Sequence, residues 1–228
     1  ERCGIIMLDA DETILDFVRS SRESFAWAMA EAGLGKLAAD YEKFRAVNDA
    51  LWKEYERGEV TKAKLVVERF SRFFAAEGAE ADAAAVNQLY FGRLCSTGYL
   101  LSGAEEFLQA LRVRGKIFLI TNGTPAAQYG RLDALGIRSY FDGIFVSDEI
   151  GFAKPDLRFF EYVFAHAPAD RDNSIVIGDS LTSDIAGANN AGLPCVLYAP
   201  NGAPKSAEAA DYVAHSYLQI LEILDSLR

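Results

Sequence analysis

The chain changes its pattern near residue 100, and that change limits the possible folds more than composition does. From Ser102 onward, strand-like and helix-like segments alternate. Ser102-Gly-Ala-Glu105 reads as a capping box opening a helix through Phe107, Leu108 and Leu111, and Lys116 to Ile120 is a β run ending at Thr121-Asn122-Gly123. A helical pattern follows through Tyr129, Leu132 and Leu135. Strand patterns come near Ile144 to Val146, Ser174 to Ile177 and Cys195 to Tyr198, with helices after Pro155 and after Thr182. Such alternation predicts an α/β fold, a Rossmann-like parallel sheet flanked by helices on both faces.

Residues 16–98 interrupt this order. They carry no proline and no β-branched run, and their apolar residues recur at helical spacing. One segment has Phe17, Val18, Phe25, Ala28, Met29 and Ala32 and stops at Gly33. A second has Tyr41, Phe44, Val47, Leu51, Trp52 and Tyr55 before Gly58. Thr61 is placed to cap a third, through Leu65, Val66, Phe70, Phe73 and Phe74 to Gly78, and Asp82 a fourth, through Val86, Leu89, Tyr90 and Leu94. This predicts an inserted helical bundle, with Gly4 to Leu8 before it belonging by type to the later sheet. The expected domains are therefore 1–15 and 99–228 for the core and 16–98 for the insertion.

Half of the 228 residues are hydrophobic, enough for one substantial core plus a smaller lobe. The three cysteines, Cys3, Cys95 and Cys195, are odd in number and far apart, so reduced thiols are expected. No apolar stretch is long enough to span a bilayer, and the N-terminus lacks a signal-peptide pattern. A soluble, cytoplasmic chain is expected. A net charge of -10 argues against a nucleic-acid partner, because affinity for a phosphate polymer comes from clustered Lys and Arg.

The chemistry concentrates where the first strand ends. Asp9 and Asp11 stand two residues apart, a spacing that puts two carboxylates on one face of an extended chain, at the end of a strand where open α/β sheets hold their ligands. The cluster Asp9, Asp11, Glu12 and Asp16 repels itself unless a cation sits in it, which points to metal or phosphate chemistry. Other strands deliver polar residues to the same rim: Thr121 and Asn122, then Asp179. Lys154 arrives in Gly151-Phe-Ala-Lys154-Pro155, where Pro155 favours an extended Lys154 and suits a first helical turn. Singly, each has a bland explanation as a loop hydroxyl, a surface amine or a helix cap; together they converge on one rim.

Four pieces, Asp9-Ala-Asp11-Glu-Thr13, Thr121-Asn122-Gly123, Lys154-Pro155 and Gly178-Asp179-Ser180-Leu-Thr-Ser183-Asp184, resemble in residues and order the motifs of the haloacid dehalogenase-like hydrolases. The helical insertion looks like that family's mobile cap. Ala46-Val47-Asn48 and Leu51-Trp52, with Ile120-Thr-Asn-Gly123, look like the bacterial pyrimidine 5'-nucleotidases that clear non-standard nucleoside monophosphates.

The resemblance implies a phosphomonoester hydrolase. Asp9 would be the nucleophile, forming an aspartyl-phosphate. Mg²⁺ would be bound by an Asp9 carboxylate oxygen, the Asp11 backbone carbonyl and Asp179. Asp11 would protonate the leaving oxygen and then activate water, its acidity weakened by the neighbouring acid. Thr121 and amides near Asn122 would hold phosphoryl oxygens, with Lys154 neutralising charge, while Asp184, beside Ser183, would orient Lys154 or a metal-bound water. Substrate choice would fall to Asn48, reading a pyrimidine edge, and Trp52, stacking on a base, with Phe17 and Arg45 as further candidates. The plain alternative is that Trp52 is bundle core and Asn48 an interhelical polar group. Lys36, Lys43, Lys53, Lys62 and Lys64 read as solvated, and His166 and His215 as structural or exposed.

Asp11 separates branches of the family, since dehalogenating relatives do not need this second acid. The partner implied is a small phosphomonoester, met by a monomer or homodimer. Two rivals remain at this stage: a phosphatase or mutase acting on sugar phosphates, and a phospho-accepting switch or binding protein without turnover. Asp11 and the large insertion weigh against the second.

Overall fold

The computed structural model describes residues 4–167 and 171–227. Cys3 lies outside the described residues, and Cys95 and Cys195 are both reduced thiols. The chain forms two compact units, one running up to Asp16 and resuming at Tyr99, the other spanning Phe17–Gly98.

In chain order, β1 (Ile5–Leu8) is followed by the four helices of the second unit, α1 (Phe17–Glu31), α2 (Tyr41–Glu56), α3 (Lys62–Glu77) and α4 (Ala83–Ser96). The first unit then continues with α5 (Ala104–Arg112), β2 (Lys116–Thr121), α6 (Pro125–Leu135), β3 (Gly143–Val146), the short α7 (Ser147–Ile150), α8 (Leu157–His166) and β4 (Ser174–Gly178). A π-helical turn, Leu181–Ile185, leads into α9 (Ala186–Ala191), and β5 (Cys195–Tyr198), β6 (Tyr212–Ala214) and α10 (Tyr217–Ser226) complete it.

The six strands lie in the order β3-β2-β1-β4-β5-β6, and every neighbouring pair is parallel. The near-continuous apolar strands explain why both faces must be covered. Ile6, Leu8, Ile117, Leu119, Ile175, Ile177 and Val196 point to one side, against Phe107, Leu108 and Leu111 of α5, Leu132 of α6 and Ile220 and Leu224 of α10. Ile5, Met7, Phe118, Ile120, Val176, Cys195 and Leu197 point to the other, against Phe159, Phe160 and Val163 of α8 and Ala188 and Ala191 of α9. The expected α/β class is thus observed.

Local details depart from the sequence reading in several places. The capping box at Ser102 does not form: α5 starts after Gly103, whose φ of 79° is left-handed and whose position carries no side-chain cap. Pro155 does not open a helix. The Lys154-Pro155 peptide is cis, and α8 begins two residues later, with Asp156 accepting from the Arg158 amide at 2.9 Å. Strand β6 and helix α10 also lie beyond the elements the sequence pattern identified.

Within the second unit, α1 packs on α4, and α3 packs on both α2 and α4. The expected caps are present: Thr61 Oγ1 accepts from the Lys64 amide at 3.3 Å, and Asp82 Oδ1 accepts from Ala84 and Ala85 at 3.0 Å each. Gly78 ends α3 at φ 63°, a conformation that favours a residue without Cβ. The interior is aromatic. Phe44 stacks on Phe25 and on Phe70, each at 4.8 Å between ring centroids, with Phe73 and Tyr90 edge-on to it. Among the described residues, no helix is long and apolar enough to cross a membrane.

Candidate active site

The sheet register assembles the site. Leu8, the last residue of β1, pairs with Leu119 on one side and Ile177 on the other, so the chain just beyond it leaves the sheet between the ends of β2 and β4. The Asp9 amide still donates to the Ile177 carbonyl at 2.9 Å, which fixes the start of the loop. The loop then turns tightly: Ile14 and Leu15 both donate to the Ala10 carbonyl, and Glu12 donates to Leu15. Glu12 has a φ of 60°, the one left-handed non-glycine conformation among the described residues. A side chain held there costs about 1 kcal/mol, a cost the surrounding bonds must offset.

Asp9 is buried and held from two sides. Lys154 Nζ donates to Oδ1 at 2.7 Å, and Thr13 Oγ1 donates to Oδ2 at 3.2 Å. Lys154 is itself buried, and its ammonium also donates to Asp184 Oδ1 at 2.6 Å and to the Ile120 carbonyl at 3.0 Å. All three ammonium protons therefore have acceptors. Burial by itself would lower the Lys154 pKa, but Asp184 and Asp9 override it and hold the group above its ordinary value.

The backbone of Lys154 is fixed as firmly as its side chain. Asn122 donates from Nδ2 to the Lys154 carbonyl at 2.8 Å and accepts at Oδ1 from the Lys154 amide at 2.9 Å. Asn122, expected at the phosphate, thus spends its side chain on Lys154. Thr121 is buried at the end of β2, where its hydroxyl accepts from the Gly123 amide at 3.0 Å.

Asp184 is buried on the π-helical turn. Its Oδ2 accepts from the Ser180 amide at 3.1 Å and its own amide donates to the Ser180 carbonyl at 3.1 Å, a reciprocal pair that closes the turn, while Ser180 Oγ accepts from the Ser183 amide at 3.2 Å. Gly178 makes room for it, since a Cβ there would lie 2.2 Å from Asp184 Oδ2.

Asp9, Asp179 and Asp184 each bring a carboxylate oxygen within 4.8 Å of the others. Burial raises Asp9 to about 7, with Asp184 adding to the rise against the pull of Lys154. Burial also pushes Asp179 well above the usual carboxylate range, with Asp9 and Asp184 contributing. An all-oxygen set of crowded, buried acids suits a hard divalent cation, which would remove the repulsion that raises these groups. Asp184, whose two oxygens already serve Lys154 and Ser180, is better placed to orient Lys154 than to take up such an ion.

Asp11 faces a different neighbourhood. Arg131 donates to both its oxygens, Nη1 to Oδ1 at 2.7 Å and Nη2 to Oδ2 at 3.1 Å, and Gln128 Nε2 donates to Oδ2 at 2.8 Å. Neither α6 residue was identified from sequence, nor was a role for Thr13. Arg131 and Gln128 sit one helical turn apart just after Thr121-Asn122-Gly123, on an otherwise apolar face, and that polar i,i+3 pair was the available signal.

The remaining candidates lie in the helical insertion. Asn48 is buried, and its Oδ1 accepts from Arg69 Nη1 at 3.3 Å, the interhelical arrangement weighed above. Trp52 is partly exposed, edge-on to Tyr55 at 5.6 Å, with Lys62 over its ring at 5.7 Å. Phe17 packs against the aromatic cluster, and Arg45 pairs with Asp49 at 3.5 Å and Glu42 at 3.9 Å. His166 and His215 are exposed; His166 stacks on Tyr162.

Clustered acids at the carboxyl ends of β1 and β4, with the buried Lys154 against them, define an α/β protein with an aspartate-centred site. The family model of the haloacid dehalogenase-like hydrolases matches residues 4–192, and the chain belongs to that family. It is 35% identical over 223 residues to the pyrimidine 5'-nucleotidase PynA of Streptococcus pneumoniae, covering 96% of this chain and 94% of that one. It is 33% identical to the pyrimidine 5'-nucleotidase YjjG of Escherichia coli, covering 96% of each. Among solved structures, the magnesium-bound HAD-hydrolase YfnB of Bacillus subtilis superposes with a TM-score of 0.89 at 30% identity, over 99% of this chain and 100% of that one.

Proposed function

We propose that this protein hydrolyses the 5'-phosphate ester of pyrimidine nucleoside monophosphates, UMP, dUMP, dTMP and modified analogues, through an aspartyl-phosphate. The observation that carries the reading is Asp9, fixed by Lys154 and Thr13, with a second acid, Asp11, two residues along the chain. The relatives named pyrimidine 5'-nucleotidase support the substrate class.

An uncatalysed phosphate monoester is among the slowest substrates in water, so nucleophile, charge neutralisation and proton transfer must all be supplied. In the first step an Asp9 oxygen forms a bond to phosphorus as the bond to the nucleoside 5' oxygen breaks, and Asp11 gives that oxygen a proton. In the second, Asp11 takes a proton from water as the water oxygen attacks phosphorus, releasing inorganic phosphate and restoring Asp9. Lys154 stays against Asp9 throughout and offsets charge gathered there, while Thr121 and the amides beyond it hold phosphoryl oxygens. Asn122 and Asp184 keep Lys154 in place. The Asp9 and Asp179 carboxylates and the Asp11 carbonyl would hold Mg²⁺, whose chemistry is to let two anions approach and to polarise the phosphoryl group. The reduced thiols of Cys95 and Cys195 suit work in the reducing cytoplasm.

The test is phosphate release from a panel of nucleoside and sugar monophosphates, with Mg²⁺ or with EDTA, for wild type and Asp9→Asn. Metal-dependent release that is strongest from UMP, dUMP or dTMP and absent in Asp9→Asn is the expected result. Release from sugar phosphates alone would keep the chemistry and replace the substrate. Silence on every compound would leave a phospho-accepting or binding role.

A further inference from the structure

We propose that Arg131 and Gln128 are positioning residues that clamp Asp11 in the one orientation it needs for both of its proton transfers. The inference rests on the role given to Asp11 above and adds the means by which that role is held.

Three N–H groups converge on the two oxygens of this carboxylate, two from the guanidinium of Arg131 and one from the amide of Gln128. A forked contact fixes the plane of a carboxylate as well as its place, which a single donor does not. Arg131 is in turn anchored within its own helix, donating from Nε to the Ala127 carbonyl at 3.1 Å. It is among the largest fully buried side chains of the protein, whereas the Asp11 side chain is 30% exposed. The clamp is therefore rigid and enclosed while the carboxylate it holds stays open to solvent on another side.

This arrangement is expensive as packing. Gln128 is completely buried, yet its Oε1 has no hydrogen-bond partner, a desolvation loss that leucine at the same position would avoid. Gly123 accommodates it: a Cβ there would come within 2.2 Å of Gln128 Nε2. A buried arginine likewise stabilises less than an apolar side chain of similar size. The acceptor that the two side chains share is Asp11. A group that gives a proton in one step and takes one in the next must face the same place in both, and a free aspartate on a loop turns about two side-chain bonds.

Leaving-group dependence separates positioning from general structural damage. A nucleoside alkoxide needs a proton as it leaves, while p-nitrophenolate does not. The kinetics of Asp11→Asn, Arg131→Met, Arg131→Lys and Gln128→Leu are compared on p-nitrophenyl phosphate and on UMP, or whichever alkyl phosphate the panel ranks first. Thermal unfolding is measured on each variant. We expect Arg131→Met and Gln128→Leu to lower kcat on the alkyl phosphate about 10-fold or more with KM little changed, to lower kcat on the aryl phosphate far less, and Arg131→Lys to recover part of the loss. Equal losses on the two substrates, or no loss in these variants where Asp11→Asn does show the alkyl-selective loss, would overturn the clamp and leave the role of Asp11 standing. Asp11→Asn without an alkyl-selective loss would overturn both. Should Arg131→Met not fold, Gln128→Leu and Arg131→Lys carry the same comparison.

Discussion

Asp184 Oδ1 accepts a 2.6 Å hydrogen bond from Lys154 Nζ, and both side chains are fully enclosed. A buried ammonium between two carboxylates keeps its position only while both remain. Asp184→Asn turns one charged acceptor into an amide that presents N–H either to Lys154 or to the Ser180 amide. We expect kcat to fall at least about 10-fold and the folded state to lose about 3 kcal/mol, the scale of breaking a buried pair. Phosphate release and urea unfolding of the variant check the two parts.

Acid crowding gives a pH dependence with a definite sign in the presence of EDTA. Asp9 and Asp179 both sit above their ordinary carboxylate values, Asp9 at about 7. Between the usual carboxylate range and pH 7 the folded chain therefore binds more protons than the unfolded one, and stability must fall as pH rises through that window. Urea unfolding from pH 5 to pH 8 with EDTA should show the decline, and Asp9→Asn should reduce it. Added Mg²⁺ should restore stability at the upper end, since an ion that binds only the folded state stabilises it by mass action. A flat or rising profile in EDTA would contradict the reading.

Gly178→Ala probes the same acid from the strand behind it. The new methyl would lie 2.2 Å from Asp184 Oδ2 and 2.3 Å from its Cγ, and real atoms do not approach so closely. Either Asp184 leaves Lys154 or β4 shifts. We expect a stability loss of about 1–3 kcal/mol, in the range of overpacked cores, together with a loss of activity close to that of Asp184→Ala. A variant that folds as well as wild type and keeps full activity would show that the contact is softer than drawn.

In the helical insertion the sensitive position is Phe44, which is wholly buried and touches Phe25, Phe70, Phe73 and Tyr90. Phe44→Ala should cost about 3–5 kcal/mol, far more than truncation of the exposed Val113. Denaturant midpoints of the two variants make the comparison.

The sheet was legible because its strands are apolar on both sides, and a run such as Ile5-Ile6-Met7-Leu8 has few other ways to be buried. The four bundle helices were legible from their spacing and their capping residues Thr61 and Asp82. At the site, Asp9, Thr121 and Asp179 could be picked out because each stands at or just past the end of an apolar strand, where a polar residue breaks a pattern, Asp11 by its spacing from Asp9, and Lys154 by the proline that follows it. Arg131 and Gln128 break a pattern too, but a polar residue on a helix is ordinary until the three-dimensional packing shows that its face is buried. Ser102 misled for a related reason: the local pattern fits a cap, but the left-handed Gly103 supplies the helix start instead. For Asn122, the reciprocal bonds that tie it to Lys154 join residues distant in sequence, and no spacing rule reaches that far.

Strand β1 leads directly into Asp9 and lies inside the sheet, yet both of its neighbours come after the insertion: Ile5 pairs with Lys116 and with Ser174. On a ribosome the helices of the insertion emerge before either partner, and their contacts with one another are local enough to form early. The strand that leads to the proposed nucleophile is thus made before any other described strand and stays unpaired on one edge until β4 is synthesised. Competence for chemistry in this chain therefore waits for β4, and a nascent chain stalled ahead of Ser174 would lack one side of its aspartate site.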